Sequence, residues 1–423
     1  MEGEKSVKIT IRKRKANYIY FIMYFIMIVM FLRSELGFPS LITYSIDVVN
    51  LILMLYLLKI KYDKNTKIFR NYVLVFLLYV CLGLVLFRQS KILFLWGLRS
   101  NFRYYIFFIA CALMLDREDC TRILDFFKKM LVVNAFVCTF QYFILGYHRD
   151  ILGGLFGSAS GCNGYMNIFM IIAISYAAVQ YLREEIPFGE VAILTLLSVY
   201  ISILSELKVF FVELLIIFII ASITTRFSFK KLGIITISLV ALSAIAWGLP
   251  KIYPEWSELF SVNGIIENLT SEGGYTGQGD LNRLTAIASI NAKFSNMTST
   301  RLWFGTGLGS WEYSDTFDFL TSTNYLTHSL THYAWISYAW IYLELGYIGL
   351  FFFGGFFVLS GVFSRKIKSI DNHDKVLLDT AFIMAFLAII LAIFNVSLRM
   401  ESGYHVYFVL SLPLVVSRAQ FHK

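Results

Sequence analysis

The chain has 423 residues, 58% of them hydrophobic and 15% charged, with a formal net charge of +9. A mean hydropathy of +0.67 excludes a soluble globular protein, because apolar runs of about 20 residues recur and each is long enough to cross a bilayer as a helix. The excess of positive charge does not point to nucleic acid, since it is distributed as a membrane topology would distribute it.

Before the first apolar run lie Lys5, Lys8, Arg12, Lys13, Arg14 and Lys15. That run leads into further spans and lacks a small-residue cleavage site, which predicts an uncleaved first span and not a signal peptide. Hydropathy predicts twelve spans, at about 17–32, 39–59, 70–87, 103–115, 130–147, 164–182, 190–205, 209–224, 232–249, 333–364, 376–396 and 402–417. With both termini cytoplasmic, the larger share of the 37 Lys and Arg residues falls inside, as the positive-inside rule requires. The expected organisation is nine helices over 1–249, a long outer loop over 250–332 folded as a helical cap, and three helices over 333–423. The fold class is an all-α polytopic membrane protein. No internal repeat or inverted-half symmetry of the kind many transporters show is visible.

Along the chain, Arg88, Lys91, Arg99 and Arg103 are expected in one outer loop, against the charge tendency. Segment 116–129 (DREDCTRILDFFKK) reads as an amphipathic helix lying along the inner surface. "SILSELKVFFVELL" carries Glu206 and Lys208 as a charged island between two spans. Charges retained near a membrane are costly and commonly mark a ligand path. Turn-capping in the headgroups is the structural alternative for the island, and contact with lipid phosphate is the alternative for Arg99 and Arg103. The five cysteines form no disulfide framework and no paired metal motif.

The long loop is too long to be structureless without a reason, and "LNRLTAIASINAKF" (281–294) within it reads as a helix bearing Arg283. Arg301 follows, then "LWFGTGLGSWEYSDT", whose three alternate glycines predict a tight turn packed close against a helix or ligand. In "THSLTHYAWISYAWIYLELGYIGLFFF" (327–353), His328 and His332 stand four apart, one helical face if the segment is helical. Three readings stay open for them: a two-His metal site without an obvious third ligand, structural imidazoles at the interface, or a general base near neutral pH. Arg399 lies in the last outer turn.

The ordered set of "GDLNRLTAIASI", "FGTGLGS" and a histidine ahead of "YLELGYIGLFFF", with the earlier "SELKVFF" island, resembles the Wzy-type O-antigen and capsule polymerases and the WaaL-type O-antigen ligases. The resemblance implies an enzyme of the bacterial inner membrane. It would transfer glycan from undecaprenyl pyrophosphate to a sugar hydroxyl of a lipid-linked acceptor at the periplasmic face. It implies catalytic roles for His332, His328 and Arg283, and a pyrophosphate grip by Arg283, Arg301, Lys208, Arg99 and Arg103, with Glu206 and Glu344 in support. Guanidinium groups can neutralise a leaving pyrophosphate as a metal does elsewhere. No acidic metal motif faces outward, the nearest pair being Asp315 and Asp318, so metal independence and no cofactor are expected. The implied partners are the undecaprenyl-pyrophosphate-linked oligosaccharide, the lipid bilayer, a flippase and a chain-length regulator, with no nucleic acid. The ligase alternative differs in its acceptor, the lipid A core; a lipid-linked oligosaccharide transporter is the alternative from another class.

Overall fold

The computed structural model describes residues 2–225, 270, 279–294 and 298–421, with side chains from residue 16 onward. Among these residues there are fourteen α-helices and no strand. Helices α1 (Glu2–Glu35), α2 (Tyr44–Leu57), α3 (Lys64–Leu86), α4 (Lys91–Met114), α5 (Arg117–Phe143), α6 (Cys162–Leu182), α7 (Phe188–Leu204) and α8 (Lys208–Thr224) form the first part of the bundle. Three short helices follow: α9 (Ala286–Lys293), α10 (Ser299–Phe304) and α11 (Thr323–His328). Helices α12 (Ser337–Lys366), α13 (Asn372–Phe394) and α14 (Gly403–Phe421) complete it. The described residues are all-α, and six segments among them are long and apolar enough to cross a membrane: Ala16–Glu35, Ser40–Leu57, α3, α6, α12 and α13. The expected ninth span (232–249) and most of 250–278 lie outside the described residues.

The other eleven expected spans fall on helices, but two boundaries differ for clear reasons. Helix α4 begins at Lys91, twelve residues before the expected start, because Arg99 and Arg103 are neutralised by carboxylates and do not end the apolar segment. Segment 116–129 is not a separate surface helix. It is the first half of the 27-residue α5, whose start is fixed by a capping box between Asp116 and Asp119.

Helices α6 and α14 are buried on all sides, which explains why both are apolar around their whole circumference. One end of the bundle is tied by ion pairs, Arg117 with Asp374 (2.6 Å), Lys128 with Glu190 (2.9 Å), and both Arg183 and Arg365 with Asp379. The other end carries the starts of α2, α4, α8, α12 and α14 together with residues 279–294 and 298–335.

Helix α12 is broken at Gly346 (φ 62°, ψ −163°). The break takes the carbonyls of Leu343, Glu344 and Leu345 out of the helical ladder, and each finds another donor: Thr306 N–H (3.0 Å), Gly307 N–H (2.7 Å) and the Tyr79 hydroxyl (2.6 Å) respectively. A Cβ on Gly346 would lie 2.5 Å from the Trp303 carbonyl carbon, so only glycine permits α10 and the following loop to dock here.

Candidate functional site

Segment 305–311 is laced to α12 through side chain as well as backbone. Glu344 is fully buried, and its Oε1 accepts the N–H groups of Gly309 (3.0 Å) and Trp311 (3.2 Å). Gly309 itself takes φ 89° and passes so close to α4 that a Cβ would lie 2.0 Å from the Leu93 carbonyl oxygen. The alternate glycines therefore serve close helix packing. Glu344, expected in a supporting role, is the anchor that holds this loop.

The residues that follow this loop, 312–316, line a polar cavity of about 160 Å³. Arg99 and Arg103, one turn apart on α4, both reach it. Arg99 grips Asp47 through Nε (2.9 Å) and Nη2 (2.5 Å), while its guanidinium lies over the rings of Trp96 (4.3 Å) and Tyr44 (4.9 Å). Arg103 pairs with Asp47 and Glu401, each at 3.3 Å. Across the cavity Arg399 stacks on Trp340 at 3.8 Å and donates to Glu312 at 2.5 Å. Burial raises the Glu312 carboxyl above its ordinary value, with Arg399 and Arg99 opposing. For Glu401 burial acts in the same direction, but Arg103 and Arg99 outweigh it and hold that carboxyl below its ordinary value.

Arg283 is elsewhere. It lies in the turn before α9, not on the helix, and its Nε donates to the carbonyl of Phe394 at the end of α13 (2.8 Å). The Tyr338 hydroxyl donates back to the Arg283 carbonyl (2.5 Å). This places Arg283 at one end of an apolar groove of about 270 Å³ running between α12 and α13, lined by Tyr338, Leu350, Phe353, Phe357, Ile389 and Ile393 among others. Lys208, at the start of α8, is within electrostatic reach of Arg283. Glu206 supports the turn before α8, accepting from Arg149 (3.2 Å) and capping the Lys208 N–H with its carbonyl. Arg301, on α10, lines neither the cavity nor the groove.

The histidines do not share a helical face. Helix α11 ends at His328, a 3-10 turn follows, and His332 takes a left-handed conformation (φ 53°). The His328 ring packs against Phe294 (4.6 Å) and Trp311 (5.5 Å), whereas His332 stacks on Trp335 (3.8 Å). The spacing that suggested a two-His metal site is therefore not realised. His332 stands beside the Arg283 segment, since Leu281 N–H donates to Thr331 O (2.9 Å) and Asp280 interacts with the imidazole. Burial lowers the basicity of both rings, opposed at His332 by Asp280.

No protein-family model matches the chain, and no curated protein is significantly similar to it. The reading of this end of the bundle rests on its own geometry. That geometry sets Arg283 in the groove beside α12, with Lys208 in electrostatic reach of it and His332 next to the segment that precedes it, while Arg99 and Arg103 line the separate cavity. The sequence pointed to neither Asp47, Glu312 nor Glu401 as members of the second group. A lone Asp47 in "SIDVVNLILMLY" and a lone Glu401 beside Arg399 were the available signals, because an isolated carboxylate at membrane depth normally has a cationic partner.

Proposed function

We propose that the chain is a membrane glycosyltransferase that takes its glycan from a polyprenyl pyrophosphate and joins it to a sugar hydroxyl of a lipid-linked acceptor, the activity of a polysaccharide polymerase. The observation that supports it best is the groove between α12 and α13, apolar along its length with Arg283 at one end and Lys208 within electrostatic reach of Arg283. A donor of this class has the same amphipathic form: a hydrocarbon chain ending in a pyrophosphate. In this reading the twelve-span topology puts that end of the bundle at the periplasmic face of a bacterial inner membrane. The prenyl chain lies against Leu350, Phe353 and Ile393, and Arg283 and Lys208 stabilise the negative charge that develops on the departing pyrophosphate. His332 takes the acceptor hydroxyl proton, a role open to an imidazole that stays neutral above its lowered pKa. The bond from the anomeric carbon to the pyrophosphate oxygen breaks as the bond to the acceptor oxygen forms, and the polyprenyl pyrophosphate leaves.

Native mass spectrometry of the full chain in lipid nanodiscs tests the donor site. Undecaprenyl pyrophosphate should be retained in preference to undecaprenol, and Arg283→Ala should weaken that retention about tenfold or more. Equal retention of the two lipids, or no effect of Arg283→Ala, would remove the basis of the proposal.

A further inference from the structure

The polar cavity lined by residues 312–316 does not have the charge of a phosphate site. Four guanidinium groups line it, those of Arg33, Arg99, Arg103 and Arg399. Three carboxylates line it with them, Glu312, Asp315 and Glu401. Asp47 adds a fourth by pairing with both Arg99 and Arg103. Glu344 adds a fifth opposite Arg399 at 3.7 Å, so the four guanidinium charges leave no positive excess, and a pyrophosphate entering here would meet no net attraction and would compete with carboxylates already seated on the guanidinium forks.

What this wall offers is donors and acceptors side by side, framed by aromatic rings. Arg103 and Arg399 are 6% and 5% exposed. Arg103 Nε, Arg399 Nε and Nη1, and Trp340 Nε1 have no hydrogen-bond partner among the described residues. Buried donors are normally satisfied, by protein, water or ligand, and these four belong to three side chains that line the cavity. Tyr44, Trp96, Tyr313 and Trp340 supply the apolar part of the wall. A volume of about 160 Å³ corresponds to roughly five waters at about 30 Å³ each, room for one small ring and not for a prenyl chain.

We propose that this cavity is a saccharide subsite that seats one uncharged pyranose ring, its hydroxyls on the guanidinium–carboxylate pairs and a C–H face against the aromatic wall. It deepens the transferase reading and rests on it for the origin of the sugar. Tyr338 lines the groove and Trp340 lines the cavity, and residues two apart on a helix point about 200° apart. The first turn of α12 thus stands between the two. The ring held in the cavity is therefore not the sugar bonded to the pyrophosphate but another sugar of the glycan, and the subsite selects which glycans are accepted.

Saturation-transfer NMR on the full chain in nanodiscs tests this with a panel of glucose, galactose, N-acetylglucosamine and glucuronate, and with inorganic pyrophosphate as competitor. At least one neutral pyranose should receive saturation, and excess pyrophosphate should not displace it. Asp315→Asn and Trp96→Phe, at exposed and half-buried positions on the rim, should each reduce the signal about fivefold or more while leaving retention of undecaprenyl pyrophosphate unchanged. Saturation of glucuronate alone, displacement by pyrophosphate, or no saturated pyranose in protein that still retains the lipid would each overturn the proposal. Sugar binding in protein that fails to retain the lipid would uphold the subsite and count against the transferase reading instead.

Discussion

Glu344→Ala should loosen the glycine loop while leaving the bundle folded. The carboxylate accepts two backbone N–H groups, those of Gly309 and Trp311, in a fully buried setting. Removing it leaves both donors without a partner, at about 1–3 kcal/mol each, so the local cost is about 2–6 kcal/mol. At about 1.4 kcal/mol per factor of ten, amide exchange at Gly309 and Trp311 should accelerate by a factor between roughly 30 and 10⁴. Glu344→Gln keeps a side-chain oxygen able to accept both bonds and loses only the charge that faces Arg399 at 3.7 Å. Its exchange should stay within about threefold of the parent protein, since the two amide bonds survive. Hydrogen–deuterium exchange on a peptide covering 305–313 reads both variants. Unchanged exchange in Glu344→Ala would refute the anchoring role. Equal acceleration in the two variants would show that the charge opposite Arg399, and not the pair of amide bonds, holds the loop.

Arg283→Lys should reduce polymer formation by roughly 30- to 1000-fold, because a planar fork on pyrophosphate is worth about 2–4 kcal/mol in a dry site. Arg149→Lys should change little, since Arg149 is 71% exposed and its pairing with Glu206 is a surface contact; equal losses in these two variants would remove Arg283 from the site. A general base works in its neutral form, and burial lowers the His332 pKa from 6.5, so the acid limb of kcat/KM should fall below pH 6.5 and disappear in His332→Ala. A limb at higher pH, or one that survives the substitution, would assign the proton transfer to another group. At equal expression His328→Ala should remain the more active of the two histidine variants, and the reverse order would reassign the base. Polymer formation should persist in EDTA; loss restored by magnesium or manganese would bring Asp315 and Asp318 to the fore.

Much of the helical architecture was legible because apolar runs of membrane-spanning length leave a strong signal. The early start of α4 was not. It depends on Asp47 and Glu401, which reach Arg99 and Arg103 from sequence positions dozens to hundreds of residues away. The alternate glycines predicted a tight turn packed against a helix or ligand, and the structure supplies the helices, α4 at Gly309 and α12 at Gly305. That the loop's partner would be the broken ladder at Gly346 needed the fold, because Leu343 and Glu344 show nothing locally of carbonyls without helical partners. The histidine pair misled for a related reason. Spacing by four implies a shared face only while a helix continues, and His332 in a left-handed conformation ends that inference. Arg283, Lys208 and His332 were each singled out from the sequence, and the fold brings them to one region. Arg99 and Arg103 were grouped with them, and the fold separates them by the first turn of α12.

The most direct test of the transferase reading is the purified chain in detergent micelles, supplied only with undecaprenyl-pyrophosphate-linked repeat units and with no second compartment. The account predicts a ladder of lengthened, lipid-linked glycan and one released undecaprenyl pyrophosphate per bond formed, both lost in Arg283→Ala. Intact repeat units after incubation with folded protein, together with movement of those lipids across the bilayer when the same preparation is placed in vesicles, would contradict it and identify a transporter.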